Sequence, residues 1–224
     1  MASPERVDWK RRVDEHVSDP TALDGMRNAF RTTLNRQAEN LPRMRGLDTR
    51  RERAKVARKE SAEGILLDEA IANLKANHVR VVGPCSKLEA QEAVLRELGE
   101  ERLVVKSKSN VTKEIELTKS LEEKGIVVVE TDAGDRIIQI AHRKQAHPTG
   151  PAVDLTRYEV ADILAKHFGR DMQSDPEVLT KVIRQDVRSY IDSSKIGITG
   201  ANYITAEEGA VVIIHNEGNA AECA

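Results

Sequence analysis

The chain has 224 residues, of which 39% are hydrophobic and 32% charged, with a formal net charge of −2. No apolar stretch approaches the ~18 residues that suggest a membrane span, and the polar first ten residues lack the apolar core of a signal peptide. We therefore expect a cytoplasmic globular protein, with a core of aliphatic residues because aromatic residues make up only 3%.

Residues 1–75 contain no convincing strand and are predicted to form a helical N-terminal extension of two long helices, interrupted at Pro42 and Gly46. The predicted buried positions are Leu23, Met26, Phe30 and Leu34 in the first helix, and Val56, Ile65, Leu66, Ile71 and Leu74 in the second. Residues 1–60 carry 15 Lys/Arg against 10 Asp/Glu, which favours a solvated arm over a nucleic-acid site because no aromatic residues are interleaved. Such an arm packs beside the main domain or contacts another subunit, so a homodimer is one expectation.

Residues 76–224 show alternating strand and helix patterns. The predicted strands are residues 79–82, 103–106, 126–129, 196–199 and 210–214. The predicted helix starts are the capping boxes at Ser86 and Thr156, the cap at Thr112 of a helix running to residue 124, and Asp175 followed by Pro176. Residues 132–141 are predicted to contain a helical turn, and residues 147–151 a loop. This alternation predicts an α/β domain with a mostly parallel sheet flanked by helices.

Ligands of such sheets usually bind beyond the carboxyl ends of the strands, and three segments qualify. The first segment consists of Lys106, Ser107, Lys108, Ser109 and Asn110, between a strand and a helix. Its two lysines, two hydroxyls and helical N–H groups favour a carboxylate or phosphate ligand. The alternative is an ordinary charged loop with a capped helix.

The second segment contains Thr199, Gly200 and Asn202 and leads to Glu207 and Glu208. Gly200 permits a close backbone approach or a positive φ angle. A cleft glutamate here acts as a general base or ligand contact, or instead receives hydrogen bonds from turn N–H groups as a structural carboxylate.

The third segment contains His215, Asn216, Glu217 and Asn219, and a plain reverse turn is its alternative interpretation. One histidine without a placed partner is weak evidence for catalysis, and Cys85 has no histidine partner that would make it a nucleophile. The two cysteines and scattered histidines show no metal-ligand spacing, so we predict no metal site in this chain.

These segments together carry a family likeness. Residues 104–109 with 111–115, then Gly197-Ile198-Thr199-Gly200-Ala201-Asn202, Ala206-Glu207-Glu208-Gly209 and Asn216-Glu217-Gly218-Asn219, resemble the LUD-domain family in their order. The likeness is closest to the N-terminal domain of the lactate-utilisation protein B group, the iron–sulfur subunits of bacterial L-lactate oxidation systems. It implies a sheet related to the NagB/RpiA/CoA-transferase-like fold. It also maps a family glutamate onto Glu207, with Glu208 where the family usually has threonine.

The resemblance implies a role in oxidising L-lactate or a related hydroxy acid together with redox partner subunits. It places any iron–sulfur cluster in a partner or in a further C-terminal domain, because two cysteines cannot supply the four thiolates of a cubane cluster. Family members continue with apolar segments after the position of Asn219, so we expect a domain truncated at its C-terminus. Two alternatives stay open: a stand-alone enzyme converting a phosphosugar or acyl-CoA, with Glu207 as base, and a non-catalytic docking module.

Overall fold

The computed structural model describes residues 11, 14, 18–215 and 217–224. The chain divides into two compact units: the first comprises residues 1–45 and 133–186, and the second comprises residues 46–132 and 187–224. The predicted boundary between an extension and a domain at residue 76 stays a prediction.

Three parallel strands form the sheet of the second unit: β1 (Leu103–Lys106), β2 (Val127–Glu130) and β3 (Gly197–Ile198). Their order is β2-β1-β3, with Lys106 paired to Glu130 on one side and to Ile198 on the other. Helices cover both faces, as expected for parallel strands that are apolar on both sides. The predicted α/β class with a parallel sheet is therefore confirmed.

The helices of the second unit are α2 (Leu47–Ala62), α3 (Leu67–Ala76), α4 (Lys87–Leu98), α5 (Asn110–Glu114), α6 (Leu117–Glu122), the C-terminal part of α9 (Pro176–Ser193) and α10 (Asn219–Cys223). On one face of the sheet, Val104 and Val128 form a cluster with Leu98, Leu117 and Leu121. On the other face, Val105 and Val129 pack with Cys223, and Tyr190 and Ile191 lie against them. Strand alternation thus assigns α4 and α6 to one face and α9 and α10 to the other.

The helices of the first unit are α1 (Pro20–Asn40), followed by a 3-10 turn at Leu41–Arg43, α7 (Ala133–Ile140), α8 (Arg157–Phe168) and the N-terminal part of α9. The predicted turn at residues 132–141 is thus a regular helix. The capping boxes of Ser86 and Thr156 are both present, which confirms the predicted starts of α4 and α8. Asp175 accepts hydrogen bonds from the N–H groups of Glu177 and Val178, as predicted for a cap before Pro176.

Two strand predictions need correction. Residues 79–82 are not a strand: Val79 and Val82 are exposed, and the Val79 N–H bonds to the Leu74 carbonyl at the end of α3. A β-branched run becomes a strand only when another strand takes its backbone hydrogen bonds. The predicted strand at residues 210–214 exists as β5 (Ala210–Val212), but it pairs antiparallel with β4 (Tyr203–Thr205), which the sequence analysis missed, and lies outside the parallel sheet.

The predicted helix at residues 112–124 was also wrong in its start and its continuity. It begins at Asn110, its cap is Ser109 rather than Thr112, and it is divided into α5 and α6 at Glu116, whose φ is 51°. A residue in the left-handed region cannot continue an α-helix, so the two short helices change direction there. The free helical N–H groups expected after Lys108 are reduced accordingly, because Ser109 already accepts from Thr112.

The predicted burial of the N-terminal helices is confirmed only in part. Leu74 is buried at 4% exposure, whereas Phe30, Leu34, Val56 and Ile65 are exposed. The other four predicted positions are half-buried: Leu23, Met26, Leu66 and Ile71. Gly64, with φ at 74°, separates α2 from α3, so the predicted second helix is two helices. None of the residues of the basic helix α2 is buried.

Candidate functional site

The carboxyl ends of the three parallel strands meet at one edge of the sheet. We call this the carboxyl edge and define it as residues 106–109, 130–132 and 199–200. Polar side chains follow each strand at this edge, where ligands of open α/β sheets usually bind.

Lys106 and Glu130 form a buried ion pair at the ends of β1 and β2. The Lys106 side chain is 0% exposed, and its Nζ lies 2.9 Å from Glu130 Oε2. Lys106 Nζ also donates to the Ser107 carbonyl at 3.3 Å. Because the two residues are direct neighbours in the strand ladder, their side chains project from the same face and meet without distortion. A ligand therefore cannot reach the buried ammonium group of Lys106.

A second ion pair lies two residues beyond the first in the segments that follow β1 and β2. Lys108 Nζ donates to Asp132 Oδ2 at 2.8 Å. The Asp132 side chain is 7% exposed, whereas that of Lys108 is 29% exposed, so this pair opens toward solvent on the lysine side. The formal charges of the four charged side chains of the edge therefore sum to zero.

A row of hydroxyls crosses the edge on Thr199, Ser107 and Thr131, which follow β3, β1 and β2; we call these three residues the hydroxyl row. The Ser107 Oγ donates to Thr199 Oγ1 at 2.7 Å, and the N–H groups of Ser107 and Thr131 extend the strand ladder by one residue at 2.8 Å each. Asn219 donates from Nδ2 to Thr131 Oγ1 at 3.3 Å. The row is thus fixed by hydrogen bonds at both ends.

Ser109 and Gly200 hold two loops of the edge together. A Cβ on Gly200 would lie 2.8 Å from Ser109 Oγ, so only glycine permits this approach. Of the two predicted explanations for Gly200, close backbone approach is the one observed. Ser109 caps α5, which makes it a structural residue of the edge.

Asn202 and Glu207 belong to the β4–β5 hairpin. The Asn202 carboxamide oxygen accepts from the Ile214 N–H at 2.7 Å and closes the open end of the hairpin. Glu207 is exposed on the hairpin turn, and its carboxylate makes no hydrogen bond or ion pair with any described residue.

Two asparagine side chains at the C-terminal end of α3 bind the backbone carbonyls of that turn. Asn73 Nδ2 donates to the carbonyls of Ala206 and Glu207 at 2.9 and 3.1 Å, and Asn77 Nδ2 to those of Glu208 and Gly209 at 2.8 and 3.1 Å. We call these four hydrogen bonds the asparagine clasp. The clasp uses no side chain of the turn, so it is indifferent to glutamate or threonine at position 208.

The last predicted segment is divided. Asn219 begins α10 and contacts the hydroxyl row, Glu217 is exposed, and Asn216 lies outside the described residues. The ring of His215 accepts through Nδ1 from the Gly218 N–H at 3.2 Å, so its role here is to shape a turn.

Cys223 lies under the edge, 3.5 Å from Thr131 Oγ1. Burial raises the pKa of the Cys223 thiol, and the hydrogen bond to Thr131 and the charge of Lys106 oppose that rise. Cys85 is exposed. The two cysteines do not fit an iron–sulfur cluster, which takes four thiolates, and no group of three metal-binding side chains occurs among the described residues.

The sequence analysis missed the contribution of β2. Glu130, Thr131 and Asp132 follow a run of three valines, just as Lys106, Ser107 and Lys108 follow β1. The signal was therefore present, because any polar segment after a buried strand qualifies by the same rule that selected the other three.

The first unit contains a cleft of about 560 Å³ between α7 and α8. Its polar lining consists of His142, Arg143, Glu159, Asp162, Lys166 and His167. Glu159 is engaged in the capping box of Thr156, and Arg143 pairs with Asp154 at 3.0 Å. No predicted site residue lies in this cleft.

A three-stranded parallel sheet flanked by helices places the chain among the α/β proteins, whose ligands usually bind at the carboxyl ends of the strands. The sequence profile of the LUD domain matches residues 67–224, and the chain belongs to the LUD-domain family. No solved structure matches the chain significantly.

Two kinds of relative are similar to the chain. It is 33% identical to the uncharacterized electron transport protein YkgF of Escherichia coli over 97% of this chain and 46% of the relative. It is 37% identical to lactate utilization protein B of Bacillus pumilus over 54% of this chain and 26% of the relative, and 38% identical to that of Bacillus cytotoxicus over 52% and 25%. The chain thus spans less than half the length of these relatives. No helix among the described residues is both long and apolar enough to cross a membrane.

Proposed function

We propose that this chain acts with a redox partner in the oxidation of L-lactate, or a related 2-hydroxy acid, to the keto acid. The names of its relatives, an electron transport protein and lactate utilization proteins, support this class of reaction. Oxidation of the alcohol removes two electrons and two protons. Because two cysteines cannot ligate a cluster, we assign the electron acceptor, an iron–sulfur protein system, to a partner or a further domain.

The charge balance of the carboxyl edge is the observation that carries the proposal. Lys106 and Lys108 are each neutralised by a carboxylate, so the edge offers no excess positive charge to a phosphate dianion or a coenzyme A phosphate. A small monoanion with its own hydroxyl requires less charge and uses hydrogen-bond donors and acceptors that stand side by side. This balance favours a hydroxy acid over a phosphosugar or an acyl-CoA.

A thermal-shift and calorimetric panel tests the proposal, with L-lactate, pyruvate, ribose 5-phosphate and acetyl-CoA as probes. A ligand at about 100 times its dissociation constant stabilises the native state by roughly 2.7 kcal/mol. We expect a shift with L-lactate or pyruvate. We expect Lys108→Met to weaken the affinity for that ligand at least about 10-fold, or ~1.4 kcal/mol. The matched control is Lys124→Met, since Lys124 is exposed after α6. A shift with the phosphorylated probes alone would contradict the proposal.

A docking role is the second candidate, and helix α2 is the observation that favours it. No residue of α2 is buried, and Arg50, Arg53 and Arg58 have no ion-pair partner among the described residues. Unpaired arginines on an exposed helix suit an acidic surface of the redox partner. The triple variant Arg50→Gln, Arg53→Gln and Arg58→Gln should weaken partner binding and its salt dependence while leaving L-lactate binding unchanged. Unchanged partner affinity would exclude this role.

A further inference from the structure

We propose that Asp132 recognises the hydroxyl of the 2-hydroxy acid and accepts its proton, while Lys108 holds the substrate carboxylate. This inference rests on the proposed function and adds a catalytic residue, in the segment after β2, that the sequence motifs do not include. Asp132 follows β2 by two residues, and Lys108 follows β1 by two, so the sheet itself brings them together.

The accessibility of the edge selects this pair. Lys106 is fully buried against Glu130, so a substrate cannot reach its ammonium group. Glu207 is exposed, and the backbone of its turn is bound to α3 by the asparagine clasp. The Glu207 carboxylate makes no hydrogen bond or ion pair with the residues of the carboxyl edge. The Asp132 carboxylate is buried, whereas the side chain of Lys108, with which it forms an ion pair, is 29% exposed. Such a carboxylate is shielded from water, and the pair reaches the surface on its lysine side.

The pair is complementary to a 2-hydroxycarboxylate. It presents a donor, Lys108 Nζ, 2.8 Å from an acceptor, Asp132 Oδ2. A 2-hydroxycarboxylate presents an acceptor, its carboxylate, beside a donor, its hydroxyl. The substrate thus exchanges one ion pair for two charge-assisted hydrogen bonds, one to each group. A simple carboxylic acid satisfies Lys108 only and offers no hydroxyl donor to the Asp132 carboxylate.

The same placement accounts for the proton in the oxidation. The O–H bond of the substrate breaks and its proton passes to the Asp132 carboxylate. The C2–H bond breaks, and its hydrogen would leave with the electron pair to a two-electron hydride acceptor of the partner system, such as a flavin, from which the iron–sulfur proteins would take the two electrons one at a time. The electron pair of the former O–H bond forms the second C–O bond of the keto acid. Two electrons and two protons are thereby removed, and the acceptor is reduced by two electrons.

Binding measurements on the full chain with three probes separate the two roles. The probes are L-lactate, propionate, which lacks the hydroxyl, and L-lactamide, which lacks the carboxylate. We expect the wild type to prefer L-lactate at least about 10-fold over each analogue, a difference of ~1.4 kcal/mol. Asp132→Ala should abolish the preference over propionate, and Lys108→Met the preference over lactamide. Glu122→Gln, an exposed carboxylate on α6, is the matched control and should keep both preferences.

The isosteric variant Asp132→Asn tests the proton-accepting role and also serves if Asp132→Ala does not fold. Asparagine still accepts a hydrogen bond from the substrate hydroxyl but cannot take its proton. We expect it to retain the preference for L-lactate over propionate and to lose L-lactate-dependent reduction of the partner by at least 100-fold, within the range of general-base effects.

The outcomes distinguish the two proposals. If the wild type binds none of the probes, both the proposed function and this inference are overturned. If it prefers L-lactate and Asp132→Ala keeps that preference, the proposed function stands and the role of Asp132 is overturned. If Asp132→Asn still supports full reduction of the partner, the base lies elsewhere and the inference is overturned. The same follows if Glu207→Gln loses that activity and Asp132→Asn keeps it.

Discussion

Lys106 on β1 and Glu130 on β2 are paired in register and joined by an ion pair of 2.9 Å, with the lysine side chain fully buried. Two opposite charges inside the sheet compensate each other, and removal of either one takes that compensation from the other. This relationship ties the stability of the sheet to the chemistry of its edge.

Removal of one charged side chain of this pair should therefore lower the free energy of unfolding more than removal of both. We expect Lys106→Met to destabilise the chain by about 3–5 kcal/mol, and the double variant with Glu130→Leu to recover most of that loss. Urea unfolding of the wild type, both single variants and the double variant measures the coupling. A double variant as unstable as the sum of the singles would show that the pair does not act as a unit.

The asparagine clasp makes a prediction about the hairpin turn. Asn73→Ala removes two hydrogen bonds to the turn and should cost about 1–3 kcal/mol, because the Ala206 and Glu207 carbonyls lose their donor. Amide exchange in residues 203–212 should accelerate in this variant. Glu208→Thr is the control, since the clasp does not use the side chain at 208, and equal acceleration there would refute the clasp.

Gly209 lies at the closest approach of the turn to α3. Its φ is 59°, and a Cβ at this position would lie 2.4 Å from the Asn73 backbone carbon. Gly209→Ala should therefore displace the turn and lower the stability by more than Gly64→Ala, because Gly64 also has a positive φ but no atom within 4 Å of the position of an added Cβ. Thermal unfolding of the two variants compares them directly, and equal midpoints would argue against the close packing.

The capping box at the start of α8 should contribute measurable stability. Thr156→Ala removes the hydroxyl that accepts from the Glu159 N–H and should cost about 1 kcal/mol, a fall of roughly 2–4 °C in the unfolding midpoint. Thr180→Ala is the matched control, because the Thr180 hydroxyl bonds back to the Pro176 carbonyl within a helix. That change should be neutral or slightly stabilising, since alanine is the better helix former. A larger loss at Thr180 would contradict the assignment.

The Cys223 thiol should make stability fall at alkaline pH. Burial raises its pKa above the ordinary value of 9.0, so the folded chain keeps the proton that the unfolded chain releases. The contribution is complete below pH 9.0 and is lost as the pH rises through the folded pKa. Unfolding free energies on either side of that pH should differ more in the wild type than in Cys223→Ala, with Cys85→Ala behaving as the wild type. An identical decline in Cys223→Ala would disprove the burial effect.

Local patterns predicted the elements whose hydrogen bonds are local. The capping boxes at Ser86 and Thr156 and the Asp175 cap involve residues within three positions of one another, so the sequence alone is sufficient to identify them. The strand at residues 79–82 failed for the opposite reason. Its Val and Arg residues fit a strand, but no second strand lies beside it, and strand formation depends on that partner.

The candidate site was predicted in part. Lys106, Ser107 and Thr199 were placed together at the strand ends, because parallel strands bring their carboxyl ends to one edge. Glu207 was grouped with them by a motif, yet its turn bonds to α3 instead. The pairing of a turn with a helix more than 130 residues away leaves no periodic trace in the sequence.

The α/β class, the caps at Ser86, Thr156 and Asp175 and the polar residues that follow β1 and β3 could be predicted from the sequence, because each depends on short-range patterning or on composition. The family was indicated by a resemblance in the order of motifs. The tertiary structure was needed to show that both lysines pair with carboxylates and that Asp132 lies beside Lys108. These ion pairs depend on the register of two strands whose paired residues are 24 positions apart, and that register is set by packing on both faces of the sheet.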